Sequence, residues 1–564
     1  MRKTTFVVAV LLIALGLIAQ SPTKHAGSAA RGAISNMPAA GSQSLKLIDP
    51  QRIRADVKFL SSDLLEGRGT GQRGGNIAVE YIAAQYALNR LKPAGDNGSY
   101  FQKVPMVGLT TQPQSTFSYV GANGVPVDVK FAKEITAYNE TGSPEANLDA
   151  EVVFVGYGID APEFKWDDYK GVDVKGKVLL MLVNEPPSED PAFFNGKALT
   201  YYGRWTYKFE EAARKGAVGA LVVHRTDMAS YGWNVVETSN TGEKSYLRED
   251  TKPKLQMASW IQLSVADQMA KSIGKNMNEL MEMAKSREFR PVPLPIRFKA
   301  HVISKVRPFD SYNVVGTIPG SDPALKDEAI LYTAHWDHLG IHPEQPGDNI
   351  YNGAIDNATG VGVIIEIARA FADNPIKPKR SLIFAAVTAE EQGLRGSEYL
   401  GMHPPIPAKD ISLALNFDGV APIGVPEEVN VTGAERNTFY PTLQQTTKEF
   451  KLAIVPDDNP GAGFYYRSDH FSLSRVGIPA FSVNEGTKYE GKAADYGKKF
   501  EDEYTKNDYH QPSDEFHEDW DFTGVGRMAR FGVALGWKAA NWAQEVQWRP
   551  GDEFEAARKA SQTK

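Results

Sequence analysis

The chain has 564 residues, more than one ordinary hydrophobic core supports, so at least two domains are expected. With 42% hydrophobic and 23% charged residues it has the composition of a soluble globular protein, and a formal charge of -7 gives no reason to expect nucleic acid or an anionic membrane as a partner. The absence of cysteine excludes disulfides, thiolate metal ligands and cysteine nucleophiles, so any bound metal must be held by nitrogen and oxygen atoms.

The N-terminus has the pattern of an export signal. Arg2 and Lys3 form its charged region, and an apolar run over 6–19 follows. We assign residues 1–30 to the signal peptide and the start of a disordered leader, rich in Ser, Gly and Ala, that continues to residue 45. The mature protein is expected to be extracytoplasmic, either periplasmic or secreted. An uncleaved membrane anchor is the alternative, but the apolar run is short for a span of about 20 residues.

Two helical patterns open the main domain. Apolar residues recur at helical spacing over 49–65 and again over 75–91. Between them, 69–74 matches the dinucleotide fingerprint G-x-G-x-x-G. That fingerprint requires a preceding strand, and the preceding residues have a helical pattern, so we reject a nucleotide site here.

The rest of the chain divides into three parts. We place the N-terminal part of the main domain at 46–139, an inserted unit at 140–292 and the catalytic part of the main domain at 293–546. The inserted unit reads as strands with one crossover helix and has no ligand character. Its His224 is interpreted as an ordinary histidine at a strand end. A polar stretch near 285–295 is expected to return the chain to the main domain.

Three short apolar runs in the catalytic part each end in side chains that can bind metals. Unbroken apolar runs of this length predict strands buried on both faces of a parallel sheet. Ligands of such sheets collect at the carboxyl ends of the strands, so these side chains are expected to meet. The runs are 329–334 before His335 and Asp337, 381–387 before Glu390 and Glu391, and 411–415 before Asp418.

Two further candidates lie elsewhere in the chain. Asp356 is on a Gly-rich turn that opens an apolar helix over 361–371, and small neighbours there allow a close approach of the backbone. His510 comes much later, after the polar sequence Asp508-Tyr509. Two cations about 3.5–4 Å apart, held by such N and O ligands, polarise a carbonyl and lower the pKa of a shared water. A carboxylate outside the coordination shell must then move the proton, and two consecutive glutamates suit this division.

These motifs, in this order, resemble those of the M28 family of di-zinc peptidases. The resemblance covers about 45–135 and 295–545, and the inserted unit is similar to a protease-associated domain, especially at 215–220. The fold it implies is α/β: a mixed, largely parallel central sheet flanked by helices, with an inserted, mostly-β domain. The motifs are His335-Trp336-Asp337, Gly353-Ala354-Ile355-Asp356-Asn357, Glu390-Glu391-Gln392-Gly393, Asn416-Phe417-Asp418, Tyr509-His510, Arg467-Ser468-Asp469-His470-Phe471 and Gly477-Ile478-Pro479-Ala480.

The resemblance also implies a role for each motif residue. Two Zn²⁺ ions per chain are expected, with Asp356 as the bridging ligand and a cis peptide bond between Asp356 and Asn357. Glu390 resembles the general base, and Tyr509 is a candidate for the oxyanion or substrate contact, with Tyr465 and Tyr466 as rivals. Of the remaining residues, His335 and Asp418 would complete one zinc site, Glu391 and His510 the other, and Asp337 would orient His335 through its second ring nitrogen.

The implied activity is that of a zinc-dependent exopeptidase, an aminopeptidase of class EC 3.4.11. It would hydrolyse N-terminal residues from peptides with a free N-terminus through a metal-bridging hydroxide. A carboxypeptidase of the glutamate-releasing type uses the same metals and would need a basic cluster, for which Arg395 and Arg467 are candidates. A non-catalytic, receptor-like binding protein is a further alternative, but it is expected to have lost ligands or the base. The sequence does not determine the oligomeric state.

Three other histidines receive structural interpretations. His338 and His342 are expected to be solvated or to lie at the rim of the site. His470, in Ser468-Asp469-His470, could suggest a serine hydrolase, but a local tripeptide cannot form the triad geometry. The chain also contains neither a G-x-S-x-G elbow nor an H-E-x-x-H helix, which excludes those two classes of hydrolase.

Overall fold

The structure is a computed structural model that describes residues 39–121, 124–343, 345–457 and 459–563. The predicted signal peptide lies outside these residues. Within them, none of the helices is both long and apolar enough to cross a membrane. The predicted disordered leader is wrong at its end: Ala39–Leu47 is a helix, Leu45 is buried, and the Ser44 hydroxyl accepts a hydrogen bond from the Asn374 amide at 2.8 Å.

Helices and strands alternate through most of the described chain. The helices are α1 Ala39–Leu47, α2 Pro50–Leu60, α3 Arg73–Leu88, α4 Trp205–Arg214, α5 Thr226–Ala229, α6 Trp233–Thr241, α7 Leu263–Ala270, α8 Met277–Ala284, α9 Thr359–Asp373, α10 Arg395–Met402, α11 Tyr440–Phe450, α12 His470–Arg475, α13 Tyr496–Asn507, α14 Thr523–Ala540 and α15 Glu555–Gln562. The strands are β1 Lys92–Pro93, β2 Phe101–Thr111, β3 Thr116–Val120, β4 Pro126–Asp128, β5 Ile135–Tyr138, β6 Glu145–Phe154, β7 Asp160–Ala161, β8 Trp166–Asp167, β9 Val178–Leu182, β10 Gly219–His224, β11 Lys244–Leu247, β12 Met257–Gln262, β13 Val292–Ile318, β14 Ala329–His335, β15 Gly340–Ile341, β16 Ile350–Tyr351, β17 Ser381–Val387, β18 Ile411–Asn416, β19 Glu428–Asn430, β20 Ala453–Ile454, β21 Ala480–Ser482 and β22 Asn484–Glu485.

One continuous sheet runs in the order β21-β18-β14-β17-β13-β6-β9-β10-β12-β5. In the main half, β21, β18, β14 and β17 are parallel to one another, and β13 is antiparallel to β17. In the other half β6, β9, β10 and β12 are parallel, and β5 closes that edge in the antiparallel direction. The predicted α/β architecture with a mixed, largely parallel central sheet is therefore confirmed.

Strand β13 joins the two halves of the sheet. Its residues 292–303 pair with β6, 304–314 with β2, and 314–318 with β17. The predicted polar connection near 285–295 is thus a strand from Val292 onward. Because β3 and β5, which precede residue 140, pair with β13 and β12 in the inserted half, we propose that this unit begins near residue 112.

The largest core lies between one face of the main sheet and four helices. Helices α2 and α14 pack on α9, and α3 packs on β13. Helix α9 is apolar on nearly all sides and is accordingly buried along most of its length. Helix α2 begins at Pro50, and the Asp49 carboxylate caps it by accepting from the Gln51 amide at 2.9 Å. This packing fixes the strand ends that carry the candidate ligands.

Candidate metal centre

Three neighbouring parallel strands deliver the predicted ligands to one edge of the sheet. Strand β14 lies between β17 and β18 and ends at His335, which pairs in register with Val387 of β17. Glu390 and Glu391 follow β17 after a short turn, and Asp418 follows β18. The common direction of the strands brings these side chains together, as the sequence predicts.

Asp356 reaches the same place from the turn that precedes α9. The expected cis peptide bond is present between Asp356 and Asn357. Gly353 has a φ of +57°, and a Cβ atom there would lie 2.2 Å from the Asp356 carbonyl oxygen, so only glycine fits. The Asp514 carboxylate accepts hydrogen bonds from the backbone amides of Ile355 and Asp356 at 3.0 and 3.1 Å.

Arg68 fixes the other side of this turn. Its buried guanidinium donates to the carbonyl oxygens of Trp336 at 2.7 Å, Asn352 at 2.6 Å and Gly353 at 2.8 Å. One side chain thereby ties the end of β14 to the turn that carries Asp356. Neither Arg68 nor Asp514 was identified from the sequence, because nothing local indicates which distant carbonyl or amide groups such side chains bind.

The first group of ligand atoms contains His335, Asp356 and Asp418. The Nε2 atom of His335 lies 3.2 Å from Oδ1 of Asp356 and 3.1 Å from Oδ1 of Asp418. The ligand atoms of the three residues all lie within 4.8 Å of one another. The Ser468 hydroxyl donates to the other oxygen of Asp418 and so holds this carboxylate in place.

The second group shares Asp356 and contains Glu391 and His510. The Nε2 atom of His510 lies 3.3 Å from Oδ2 of Asp356 and 3.0 Å from Oε2 of Glu391. Each oxygen of Asp356 therefore faces a different histidine. An oxygen and nitrogen donor set with one shared carboxylate suits a pair of Zn²⁺ ions, so the residues present fit the metals that the sequence resemblance implies.

His338 belongs to this second group, and the prediction that it is solvated or at the rim is wrong. It is 1% exposed, and its Nδ1 lies 2.6 Å from Oε1 of Glu391. Its ligand atom, together with those of Asp356 and Glu391, also fits within 4.8 Å. Its Nε2 has no hydrogen-bond partner among the described residues. A histidine three residues after a strand end can turn inward, which the residue pattern alone does not reveal. His342 is half-buried and packs on Tyr351, with ring centroids 4.4 Å apart.

The clustered charges change one another's pKa. Burial opposes the charge of His335, but nearby carboxylates, above all Asp418, raise its pKa well above the usual value. Burial likewise opposes the charge of His510, while Glu391 and Asp356 raise its pKa to about 10. Burial works against ionised Glu391, yet His510 and other neighbours lower its pKa to about 2. The carboxylates thus favour positive charge at the position where cations would bind.

Asp337 occupies a different position from the one the resemblance implies. Its carboxylate oxygen is 3.9 Å from Nδ1 of His335, whereas its backbone carbonyl lies 3.1 Å from that nitrogen. The carboxylate instead accepts hydrogen bonds from the Glu390 amide at 3.1 Å and the Thr70 hydroxyl at 3.2 Å. Asp337 therefore positions His335 with its main chain and the Glu390 backbone with its side chain.

Glu390 is the carboxylate of this cluster that faces open space. Among the described residues its side chain has no hydrogen-bond partner, and it lines a cavity of about 410 Å³ with Glu391, Tyr509 and His510. Burial, the largest effect, and the nearby Glu391 raise its pKa well above the usual value, although His335 opposes them. A carboxylate with a raised pKa beside an open cavity is suited to proton transfer.

The inserted unit contacts this centre, although the candidate ligands all lie in the main domain. The Ser239 hydroxyl on α6 lies 2.8 Å from Nδ1 of His510. Lys244 on β11 lines the same cavity, and burial lowers its pKa to about 8. Helix α6 reaches the metal ligands only because the sheet folds the two halves together, a long-range contact that no sequence pattern specifies.

Of the three tyrosines predicted as candidates for the oxyanion or substrate contact, one lines the cavity and the other two bind side chains elsewhere. Tyr509 stacks on His510 with ring centroids 4.0 Å apart and lines the cavity. Its rivals are engaged elsewhere: the hydroxyl of Tyr465 lies 2.9 Å from that of Ser474, and Tyr466 donates to Glu553 at 2.7 Å.

Neither ring nitrogen of His470 has a hydrogen-bond partner among the described residues, which agrees with the rejection of a catalytic triad.

Comparison with known proteins finds a match to one peptidase family and several similar proteins. Residues 313–533 match Peptidase family M28. A stretch of 160 residues, 28% of the chain, is 34% identical to a probable zinc metalloprotease of Pyrenophora tritici-repentis and covers 35% of it. Carboxypeptidase Q of Xenopus laevis is 25% identical over 346 residues, which is 61% of this chain and 60% of the relative. An aminopeptidase from Aneurinibacillus sp. strain AM-1 has a similar fold, with a TM-score of 0.53 and 20% identity over 91% of this chain and 98% of that structure.

These matches differ in what they cover. The chain spans less than two thirds of the length of these curated relatives. The solved aminopeptidase covers nearly the whole chain and shares its fold. The match to the family itself contains all five predicted zinc ligands and extends from Asn313 in β13 into helix α14. Residues 313–533 therefore form a domain of the Peptidase family M28 type.

Proposed function

We propose that the protein is a zinc-dependent exopeptidase that releases N-terminal residues from peptides. The observation that supports this most strongly is the position of Asp356, whose two oxygens face His335 and His510 on opposite sides. A carboxylate shared by two histidine-containing groups is the arrangement that a pair of zinc ions requires. In this proposal His335 and Asp418 complete one site, and Glu391 and His510 the other. The partner is then a peptide with a free N-terminus.

Two bound zinc ions would polarise the scissile carbonyl and bring the pKa of a water molecule close to neutrality. Glu390 is proposed to take the proton from that water and later deliver it to the leaving amine. Its free carboxylate at the cavity surface and its raised pKa support both transfers. Tyr509, on the same surface, is proposed to contact the oxyanion or the substrate. Asp337 holds the Glu390 backbone through the hydrogen bond to its amide.

The cavity walls support an exopeptidase rather than an endopeptidase. Residues of the inserted half and of the main half line the same space, which at about 410 Å³ is large enough for one or two amino-acid residues. The inserted half therefore limits how much of a peptide can enter. We propose that this unit is a protease-associated domain that controls access, and that the mature protein works outside the cytoplasm.

A panel of peptides tests the direction of attack. Zinc-loaded enzyme is given leucyl peptides with a free N-terminus and the same peptides with an acetylated N-terminus, and the released amino acids are identified. We expect release of leucine from the free peptides only. Removal of the C-terminal residue from the acetylated peptides would instead support the carboxypeptidase alternative, and no cleavage of either set would contradict the proposal.

A further inference from the structure

The glycine-rich loop over 69–72 packs against the residues that follow β14. It is the first part of the segment that matches the dinucleotide fingerprint, and it ends where α3 begins. Gly69 pairs with His338 in a parallel bridge, and the His338 amide donates to the Arg68 carbonyl at 3.3 Å. This contact places the loop beside Asp337, the residue that holds the Glu390 backbone.

Thr70 is the residue of this loop that reaches the Asp337 carboxylate. Its hydroxyl donates to Oδ2 of Asp337 at 3.2 Å, while Oδ1 of the same carboxylate accepts from the Glu390 amide at 3.1 Å. Thr70 and Asp337 are both buried. A buried carboxylate oxygen without a donor is costly, so the two hydrogen bonds together fix the rotation of this group. The Thr70 hydroxyl thereby determines which oxygen faces the Glu390 amide.

Arg307 of β13 holds the main chain of the loop. Its guanidinium donates to the carbonyl oxygens of Gly71 at 2.8 Å and Thr70 at 3.1 Å. The same guanidinium lies over the Phe309 ring, 3.9 Å from its centroid. Gly71 has a φ of +61°, and a Cβ atom there would lie 2.0 Å from Cδ2 of that ring, so only glycine fits. Because both carbonyl groups adjoin the Thr70 side chain, Arg307 fixes the direction in which the hydroxyl points.

The inserted unit completes this network through Glu243, the residue just before β11. Its carboxylate accepts from Nε of Arg307 at 2.8 Å and forms an ion pair with that guanidinium. Both side chains are mostly buried, so salt screens this pair less than it screens a pair on the surface. A continuous series of polar contacts therefore leads from the inserted unit to the backbone of the proposed base.

We propose that Thr70, held in place by Arg307, is a positioning residue for Glu390. A general base must lie within hydrogen-bond distance of the proton it takes, and a displacement of about 1 Å costs roughly 100-fold in rate. Thr70 acts only through Asp337, so its loss should move the base without removing any group that reacts. The ion pair between Glu243 and Arg307 makes the position of the base depend on the inserted unit. This inference rests on the proposed function and adds residues outside the metal centre to it.

The substitution Thr70→Val tests the proposal, since it keeps the shape of the side chain and removes the hydroxyl. We expect kcat on a leucyl 4-nitroanilide to fall roughly 10- to 100-fold, while KM changes less than about twofold. Thr70→Ser retains the hydroxyl and should keep kcat within about threefold of the wild type. The matched control is Thr111→Val, because Thr111 is equally buried and its hydroxyl donates to the Ala137 carbonyl in the inserted half. Unchanged kcat in Thr70→Val, or an equal loss in Thr70→Ser, would overturn the proposal.

Zinc binding separates positioning of the base from a general structural effect. The Thr70 hydroxyl bonds to Asp337, which is not a proposed zinc ligand, so both zinc dissociation constants of Thr70→Val should equal those of the wild type. Competition with a chromophoric chelator measures them. A loss of zinc that accounts for the fall in kcat would overturn the proposal.

A double-mutant cycle tests whether Arg307 acts through Thr70. Arg307→Gln alone should lower kcat roughly 3- to 10-fold, but less than about twofold when Thr70→Val is already present. Effects that multiply in the double variant would contradict the assignment, because they would show that the two side chains act independently. The control is Arg297→Gln, an exposed arginine of the same strand that pairs with Asp149 and should keep kcat. Arg307 is partly exposed, so Arg307→Gln decides the proposal if Thr70→Val does not fold, and unchanged kcat would then overturn it.

Hydrogen exchange tests the inference without any turnover. The Glu390 amide donates to Asp337, so exchange in the segment that contains this amide, followed by mass spectrometry, should be faster in Thr70→Val than in the wild type. Thr111→Val should exchange at the wild-type rate in that segment. Equal exchange in all three proteins would overturn the positioning role of Thr70. A wild-type enzyme inactive on every peptide would contradict the peptidase proposal, and the exchange measurement would still decide this inference.

Discussion

The contact between Ser239 and His510 gives a sharp prediction, because it joins the inserted unit to a proposed zinc ligand. If His510 binds zinc through Nε2, the atom that faces Asp356 and Glu391, then Nδ1 must carry the proton and donate it to the Ser239 hydroxyl, 2.8 Å away. That hydrogen bond holds the ring orientation and its tautomer. The substitution Ser239→Ala removes the acceptor and leaves the ligand in place.

The expected loss of zinc affinity is confined to one of the two proposed sites. A single hydrogen bond of this kind contributes about 1–1.5 kcal/mol, so the zinc dissociation constant of the His510 site should rise roughly tenfold. The site containing His335 should be unaffected, because Ser239 does not contact it. Competition with a chromophoric chelator measures the two constants separately.

A neighbouring hydroxyl provides the control for Ser239→Ala. Thr238 lies on the same helix and donates to the Asn234 carbonyl of its own helix at 3.0 Å, so Thr238→Ala should leave both zinc constants unchanged. Unchanged zinc binding in Ser239→Ala would refute the reasoning. An equal weakening of both sites would also refute it, since it would indicate a general structural effect and not the orientation of one imidazole.

The remaining predictions concern the base, the second histidine, the metals and pH. Glu390→Gln should keep its zinc and lose about 10²- to 10⁴-fold in kcat, measured with a leucyl 4-nitroanilide, and retained turnover would remove Glu390 from the role of base. His338→Ala should weaken zinc retention by roughly 10- to 100-fold, because Glu391 loses its 2.6 Å partner, and metal analysis after dialysis measures this. Chelation should abolish hydrolysis and lower Tm, and added Zn²⁺ should restore both, whereas activity that survives complete metal removal would contradict the proposed chemistry. Burial lowers the pKa of His470 to about 3 in the folded protein, whereas an unfolded histidine has a pKa of about 6.5. Between these two pH values the unfolded chain therefore carries a proton on His470 that the folded protein does not. The unfolding free energy of the metal-free protein should therefore fall as the pH drops below 6.5, and His470→Leu should weaken that dependence in denaturant titrations; equal slopes would contradict it.

Much of the main domain could be predicted because its sequence signals are local. The apolar runs before His335, Glu390 and Asp418 correspond to β14, β17 and β18 within one residue at each end. Their parallel order then brings the candidate ligands to one edge, since all three strands end on the same side. The Gly-rich turn of Asp356 likewise follows from a conformation that only glycine at position 353 can adopt.

The features that were missed depend on contacts between distant parts of the chain. His338 was expected at the rim, and its burial against Glu391 depends on how the loop after β14 turns. Ser239 reaches His510 across 271 positions of sequence. The predicted carboxylate contact of Asp337 is made by its backbone carbonyl instead, at 3.1 Å against 3.9 Å, a distinction that residue types cannot give. Packing between elements determines all three.

The metal pair itself is the central claim, and anomalous X-ray scattering at the zinc edge tests it most directly. Crystals of the zinc-loaded protein should show two anomalous peaks about 3.5–4 Å apart. One peak should lie between His335 and Asp418 and the other between Glu391 and His510, with Asp356 in contact with both. A single peak, or peaks away from Asp356, would contradict the account.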